Sequence, residues 1–317
     1  MTRTAVLFPG QGAQFVGMSA DLISRCPEVE GLYGRASELL GTDLWKACTE
    51  GPEELLNSTA MSQPAIFVTS LAVCRAIAHA GGEEKLQNAF ATAGLSLGEY
   101  SALVFSGAID LEPALEVVVR RGEYMQEACD AVPGGMTSFL GLELDAVREV
   151  VAEASSAGVI AVANVNATTQ IVVSGELAAL ERAAEIATER GVRKAIPLKV
   201  AGAYHSPLMA PATKKLAPYL EKLEIRPPRI PFIPNVTGTP EADPEKIRAN
   251  LLRQIESSVL WAPTCTRLVA DGVDHVLEPG PGRVVAGLMK QVDRRMPVDS
   301  VLDADTVEAF VDANCTA

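Results

Sequence analysis

Ser96 stands in Gly94-Leu-Ser-Leu-Gly98, a Gly-x-Ser-x-Gly run between a strand-like segment, Phe90-Ala-Thr-Ala-Gly94, and a helix-like one over 97–105. A nucleophile elbow needs this context, because glycines on both flanks let a strained turn lift a serine Oγ above the end of a sheet. The next backbone N–H, that of Leu97, then opens a helix and can hold a developing oxyanion. The five-residue pattern also occurs in chance turns, so its weight comes from the strand and helix around it. The chemistry on offer is acyl transfer through a serine ester.

A serine needs a base, and the chain has three histidines, His79, His205 and His275. His79 follows a helical run and precedes Gly81-Gly82, the place of a residue that interacts with a helix C-terminus. His275 lies in the alternating run Val273-Asp-His-Val-Leu277 and reads as a packed or edge histidine. His205 sits in a loop, between Gly202 and Pro207, where a side chain can project into a cleft. A loop histidine can equally be a satisfied structural one. The acids between Ser96 and His205 lie in helical or small-subdomain segments without distinctive context, so the expectation is a Ser–His dyad. A backbone carbonyl or an amide side chain would then fix the imidazole tautomer.

The first loop, Gly10-Gln-Gly-Ala-Gln14, follows the short apolar run Thr4–Phe8. Two glycines around Gln11 allow close backbone approach, so the Gln11 N–H is a second candidate oxyanion donor. The next glycine is Gly17, which breaks the dinucleotide fingerprint, and no Lys-Ser/Thr pair makes a P-loop. Gly280-Pro-Gly-Arg283 before a helix reads as a plain turn rather than a phosphate cradle. Arg120 and Arg121, in the middle of a helical segment, read from their context alone as solvated surface; one reaching the serine would bind a substrate carboxylate through a fork of hydrogen bonds. Arg193, Lys194, Lys199, Lys214 and Lys215 flank His205 in a stretch without acids. They read either as ordinary surface or as a patch that steers an acidic protein or a phosphorylated cofactor.

These groups need a large α/β scaffold, and 317 residues suffice for one. Hydrophobic residues make up 48% and charged ones 21%, which excludes disorder as the main state. A net charge of −13 disfavours nucleic acid and anionic membranes as partners. Six scattered cysteines indicate neither a disulfide scaffold nor a zinc site, and the N-terminal apolar run is too short for a signal peptide, which points to the cytoplasm. Helices are expected over 20–40, 53–56, 63–80, 111–129 and 283–292, and strands over 230–235 and 275–278. From about 130 to 200 the order becomes strand, helix, strand, strand, helix, strand, the split pattern of a ferredoxin-like unit. The fold expected is α/β: a large subdomain with a parallel sheet, 1–129 and 201–317, and an inserted ferredoxin-like small subdomain, 130–200.

Seven blocks, in order, resemble malonyl-CoA:acyl carrier protein transacylases and the related acyltransferase domains of polyketide synthases. They are Phe8-Pro-Gly-Gln-Gly-Ala-Gln14, Gly94–Leu103, Arg121-Gly-Glu-Tyr-Met-Gln126, Ala163–Asn166 with Gln170–Gly175, Tyr204–Met209, Asn235-Val-Thr-Gly238 and Glu278-Pro-Gly-Pro-Gly282. The resemblance covers nearly the whole chain and implies an α/β-hydrolase-like large subdomain. It implies Ser96 as acyl nucleophile, His205 as base and acid, the Gln11 and Leu97 amides as oxyanion hole, and Arg121 as clamp for the malonyl carboxylate. Gln254 takes a supporting role near His205, and Tyr204 narrows the pocket against an added methyl. No metal and no permanently bound cofactor are implied; malonyl-CoA is the substrate, and acyl carrier protein, with its phosphopantetheine arm, is the partner of what is expected to be a monomer. Leu95 departs from the pattern, standing where many members carry histidine. A free-standing chain favours fatty acid synthesis; a trans-acting polyketide acyltransferase, a serine esterase or thioesterase, and a non-catalytic binding subunit are the other readings.

Overall fold

A computed structural model describes residues 2–315. Its strands in chain order are β1 (Thr4–Phe8), β2 (Ala91–Gly94), β3 (Gly134–Leu140), β4 (Ile160–Ala167), β5 (Gln170–Glu176), β6 (Lys194–Pro197), β7 (His275–Pro279) and β8 (Val298–Val301). They form two sheets, one parallel in the order β2-β1-β7-β8 and one antiparallel in the order β4-β5-β3-β6. Every residue of β1 is buried, as an interior parallel strand requires. Its register with β2 pairs Phe8 with Gly94, so the loop carrying Gln11 and the turn carrying Ser96 leave the sheet side by side at its C-terminal edge.

Helices cover both faces of the parallel sheet. One face packs Val6 and Phe8 against the Thr59–Ile77 and Leu111–Ala131 helices; the other packs Ala5 and Leu7 against Trp261, Val285 and Met289. The helical run Thr59–Gln87 is long and apolar enough to cross a bilayer, yet within Thr59–Ile77 all but Ala60 and Arg75 are buried. Thr59–Ile77 is the central core helix. In the antiparallel sheet Phe139, Ile171 and Val173 pack under the Leu144–Ala154 and Leu177–Glu189 helices. Met136, Val172 and Ala163 on its other face join the main core. Its strand order, with the first strand between the third and the fourth, is that of the ferredoxin-like unit.

Several elements differ from the sequence expectations. The 20–40 segment is two helices, Leu22–Arg25 and Glu28–Leu40, because Pro27 interrupts it. The core helix starts at Thr59, ahead of the expected Gln63, with Pro64 tolerated inside it, and gives way at Ala78–Gly82 to a wider turn in which Gly81 has φ 100°. No strand forms over 230–235. Only isolated bridges join Phe232 to Thr92 and Glu241, since Pro231 and Pro234 cannot donate to a ladder. Cys26, Cys48, Cys74, Cys129 and Cys265 are buried free thiols.

Candidate active site

The elbow exists because two glycines leave room for it. A Cβ on Gly94 would lie 2.0 Å from the Gly98 carbonyl, and one on Gly98 would lie 2.5 Å from the Phe8 oxygen. Ser96 therefore takes a left-handed backbone, φ 52°, with the Gly98–Phe105 helix starting two residues on. Asn235 braces the turn. Its Oδ1 accepts from the Ser96 N–H at 2.7 Å and its Nδ2 donates to the Gly94 carbonyl at 2.7 Å. The non-strand character of 230–235 frees Asn235 to do this.

His205 also holds a left-handed backbone, φ 56°, at the head of a short turn in which Ser206 Oγ donates to the Ala203 carbonyl. Gly202 lets this loop press against the Leu111–Ala131 helix, where a Cβ would meet Cys129 Sγ at 2.4 Å. The ring bridges two partners. Its Nε2 lies 2.8 Å from Ser96 Oγ and its Nδ1 lies 2.8 Å from the Gln254 carbonyl. A carbonyl only accepts, so Nδ1 carries the proton and Nε2 is left to receive one from Ser96. Burial, then the Arg121 charge, lowers the imidazole pKa to about 4, against the pull of hydrogen bonds to the Gln254 and Ser257 backbone. At neutral pH the ring is an uncharged base.

Arg121 is 2% exposed, which corrects the reading of both arginines as surface; only Arg120, paired with Glu123, keeps that place. The Leu111–Ala131 helix lies tight on the core helix at Gly122, where a Cβ would meet the Thr59 carbonyl at 2.9 Å. Arg121 Nη1 donates to Gln63 Oε1 at 2.5 Å, and Nη2 donates to Gln254 Oε1 at 2.9 Å and to Ser96 Oγ at 3.1 Å. Burial lowers its pKa from the ordinary arginine value, opposed by Tyr100 and Glu99. A guanidinium held against Ser96 Oγ can bind an acyl group that ends in a carboxylate.

Gln254 ends the Pro244–Gln254 helix and is fully buried. Its Nε2 donates to the Ser96 carbonyl at 2.8 Å and to Glu99 Oε2 at 2.7 Å. The chain beyond it pairs with β4 through Val259, tying the antiparallel sheet to this segment. Gln63, Asn235 and Glu99 carried no role in the sequence. The signal available was position: Glu99 is one helical step from Ser96, and Asn235 opens one of the resembling blocks.

A cavity of about 920 Å³ opens over these groups. Ser96, His205 and Arg121 line it together with Gln11, Leu95, Leu97 and Tyr204, and the antiparallel sheet adds Met136, Ser138 and Asn164. Gln11 and Leu97 thus line the same space as Ser96. The Tyr204 hydroxyl meets Thr59 Oγ1 and accepts from Gln11 Nε2 at 3.2 Å, and burial pushes its pKa up to about 12. Leu95 packs beneath the loop with Leu7 and Ala93. Lys199 reaches the cavity rim, whereas Lys215 pairs with Glu127 away from it.

The remaining sequence candidates lie elsewhere. His275, opening the interior strand β7, pairs with Asp299 of the edge strand β8 at 2.9 Å, while His79, in the Ala78–Gly82 turn, comes near Cys26 and Glu28, their three donor atoms lying within 4.8 Å of one another outside the cavity lining. At Gly280–Arg283 the following helix start is already satisfied, because the Glu278 carboxylate accepts from the Val285 and Ala286 N–H groups at 2.7 and 3.0 Å.

Residues 6–301 match a protein family described as an acyl transferase domain. A malonyl CoA-acyl carrier protein transacylase of Bacillus subtilis is 39% identical over 312 residues, 98% of this chain and 97% of the relative. A solved acyl carrier protein S-malonyltransferase of Vibrio cholerae superposes with a TM-score of 0.91 at 40% identity, covering 98% of this chain and all of the other. A malonyl-transacylase solved in complex with its type II polyketide acyl-carrier protein superposes at 0.92 with 38% identity, covering 99% of this chain and 100% of that one.

Proposed function

Because the chain belongs to the acyl transferase family, we propose that it moves malonyl from malonyl-CoA to the phosphopantetheine thiol of acyl carrier protein, through a malonyl ester on Ser96. The observation that carries the acid-bearing acyl group is the buried Arg121 guanidinium 3.1 Å from Ser96 Oγ.

His205 Nε2 takes the Ser96 proton as Oγ bonds to the thioester carbon. The oxyanion formed there is held by the amides of Leu97 and Gln11, two residues that line the same cavity as Ser96. The C–S bond breaks, and the coenzyme A sulfur leaves with the proton from His205. In the second half the carrier thiol gives its proton to His205, its sulfur attacks the ester carbon, and Ser96 Oγ recovers the proton as it is expelled. Donor and acceptor present the same pantetheine arm, so one cavity serves both halves. No separate cofactor enters this scheme. Tyr204, which lines the same cavity, crowds a branched acyl group, a discrimination worth ~1–3 kcal/mol per methyl.

Arg193 immediately precedes the exposed edge strand β6, Lys194 opens that strand, Lys199 lies in the loop after it, and Lys214 and Lys215 follow on the helix beyond. This stretch, with Lys199 at the rim, is the proposed approach for an acidic carrier. The proposed state is a monomer, and the pathway proposed is cytoplasmic fatty acid synthesis. Extender supply to a polyketide carrier is the second reading, favoured by the likeness to the polyketide transacylase. The separate antiparallel sheet, whose helix-covered face packs its own cluster, supports units of 1–129 with 201–317 and 130–200.

Incubation with radiolabelled malonyl-CoA, then with holo-carrier, tests the reaction. Label should enter Ser96 and chase to the carrier. Label that leaves as free malonate at the same rate without carrier would instead assign an esterase or thioesterase, and a protein that takes none would be a binding subunit.

A further inference from the structure

Glu99 is completely buried, three residues past the nucleophile, and lies outside the lining of the cavity. Its Oε2 accepts from Gln254 Nε2 at 2.7 Å and from the Asn235 N–H at 3.3 Å, while its Oε1 has no hydrogen-bond partner among the described residues. Burying a carboxyl here is costly where an apolar side chain would pack. The cost is visible: desolvation lifts its pKa to about 7, although Gln254, Asn235 and the Arg121 charge oppose this.

The Gln254 amide explains what the carboxylate does. As placed, its Nε2 faces two acceptors, Glu99 Oε2 and the Ser96 carbonyl, and its Oε1 faces a donor, Arg121 Nη2. Turned over, Oε1 would meet the two acceptors and the NH2 would meet the guanidinium. Above pH 7 Glu99 is ionised and acceptor-only, and it joins the Ser96 carbonyl in forbidding the second arrangement. We propose that Glu99 is a positioning residue for acyl selectivity, holding the Gln254 amide in the orientation that sets the Arg121 guanidinium to receive an acyl carboxylate at Ser96. The inference rests on the transacylase reading and adds a residue to it.

Glu99→Gln keeps the size but presents an NH2 of its own, so it no longer dictates how Gln254 turns. Steady-state kinetics with malonyl-CoA and acetyl-CoA on the full chain, alongside Ser96 labelling by a fluorophosphonate, separate the alternatives. The expected result is a roughly 10- to 100-fold loss of kcat/KM for malonyl-CoA, chiefly in KM, the size of one charge-assisted hydrogen bond. Acetyl transfer and fluorophosphonate labelling should be unchanged, and in an Arg121→Ala background the substitution should add nothing. Equal losses on all three reagents, including loss through misfolding, would make Glu99 a packing element of the elbow and overturn the proposal. So would unchanged malonyl kinetics, or additivity with Arg121→Ala. Failure of the unsubstituted protein to take malonyl at all would instead remove the transacylase reading.

Discussion

Ser96 and His205 meet at 2.8 Å from backbones that both lie in the left-handed region, φ 52° and 56°. Neither is glycine, so each conformation costs of order 1–3 kcal/mol and persists only because its surroundings dictate it. For Ser96 those surroundings are Asn235 and the glycine-lined turn; for His205 they are the Ser206 turn and the Gln254 carbonyl. The strain falls on the two residues whose side chains must be presented away from their own elements.

Replacing Ser96 with alanine should abolish acylation without unfolding the chain, since alanine fits wherever serine does. Intact-protein mass spectrometry after exposure to malonyl-CoA should show no adduct. His205→Asn should leave a slow residual adduct, with the rate down by roughly 10³-fold or more. An adduct that persists on Ser96→Ala would mean that another residue is the nucleophile.

Arg121→Ala should lower kcat/KM for malonyl-CoA by roughly 10- to 100-fold, the scale of a lost charge-assisted contact. Acetyl-CoA should be spared, so the ratio of the two donors measured side by side is the informative quantity. A proportional loss on both would assign the guanidinium to packing.

The pH dependence follows from the buried imidazole. Its pKa is about 4 in the folded chain against an ordinary 6.5, so it stays a neutral base as the solution is acidified through 6.5. Single-turnover acylation at saturating malonyl-CoA should hold its rate well below pH 6.5 and fall as the pH nears 4. Stability has the matching sign: across that interval the unfolded chain binds a proton at His205 that the folded chain refuses, so this group makes folding less favourable as pH drops. A rate that halves near pH 6.5 would contradict the neutral buried ring.

Asn235→Ala removes two hydrogen bonds from the elbow and leaves the Ser96 N–H and Gly94 carbonyl unpaired. A loss of about 1–3 kcal/mol is expected in urea unfolding, with a larger fall in acylation than in secondary structure. Equal stability with unchanged acylation would show that the turn holds itself.

The elbow and the two-sheet architecture are legible because they depend on local patterns, glycine spacing and alternating strand and helix texture; His205 is singled out only with the resemblance, since a loop histidine by itself reads equally as structural. Arg121 was legible only by resemblance, since a cation on a mid-helix face reads as surface until the Thr59–Ile77 helix covers it. Asn235 and Glu99 were silent for a related reason: their partners are distant in sequence, and a carboxyl beside a nucleophile carries no mark of its burial. The 230–235 segment misled because apolar residues between Pro231 and Pro234 look like a strand while lacking the donors a ladder needs.

The pairing of Phe8 with Gly94 has a consequence for anyone handling this enzyme. A slip of one residue between those neighbours would carry Gln11 about 3.3 Å along the strand axis relative to Ser96 and dissolve the oxyanion site proposed there. Titrating the reactive serine in a refolded sample therefore counts the molecules whose first two strands found each other in the right alignment, which a helical spectrum would not reveal.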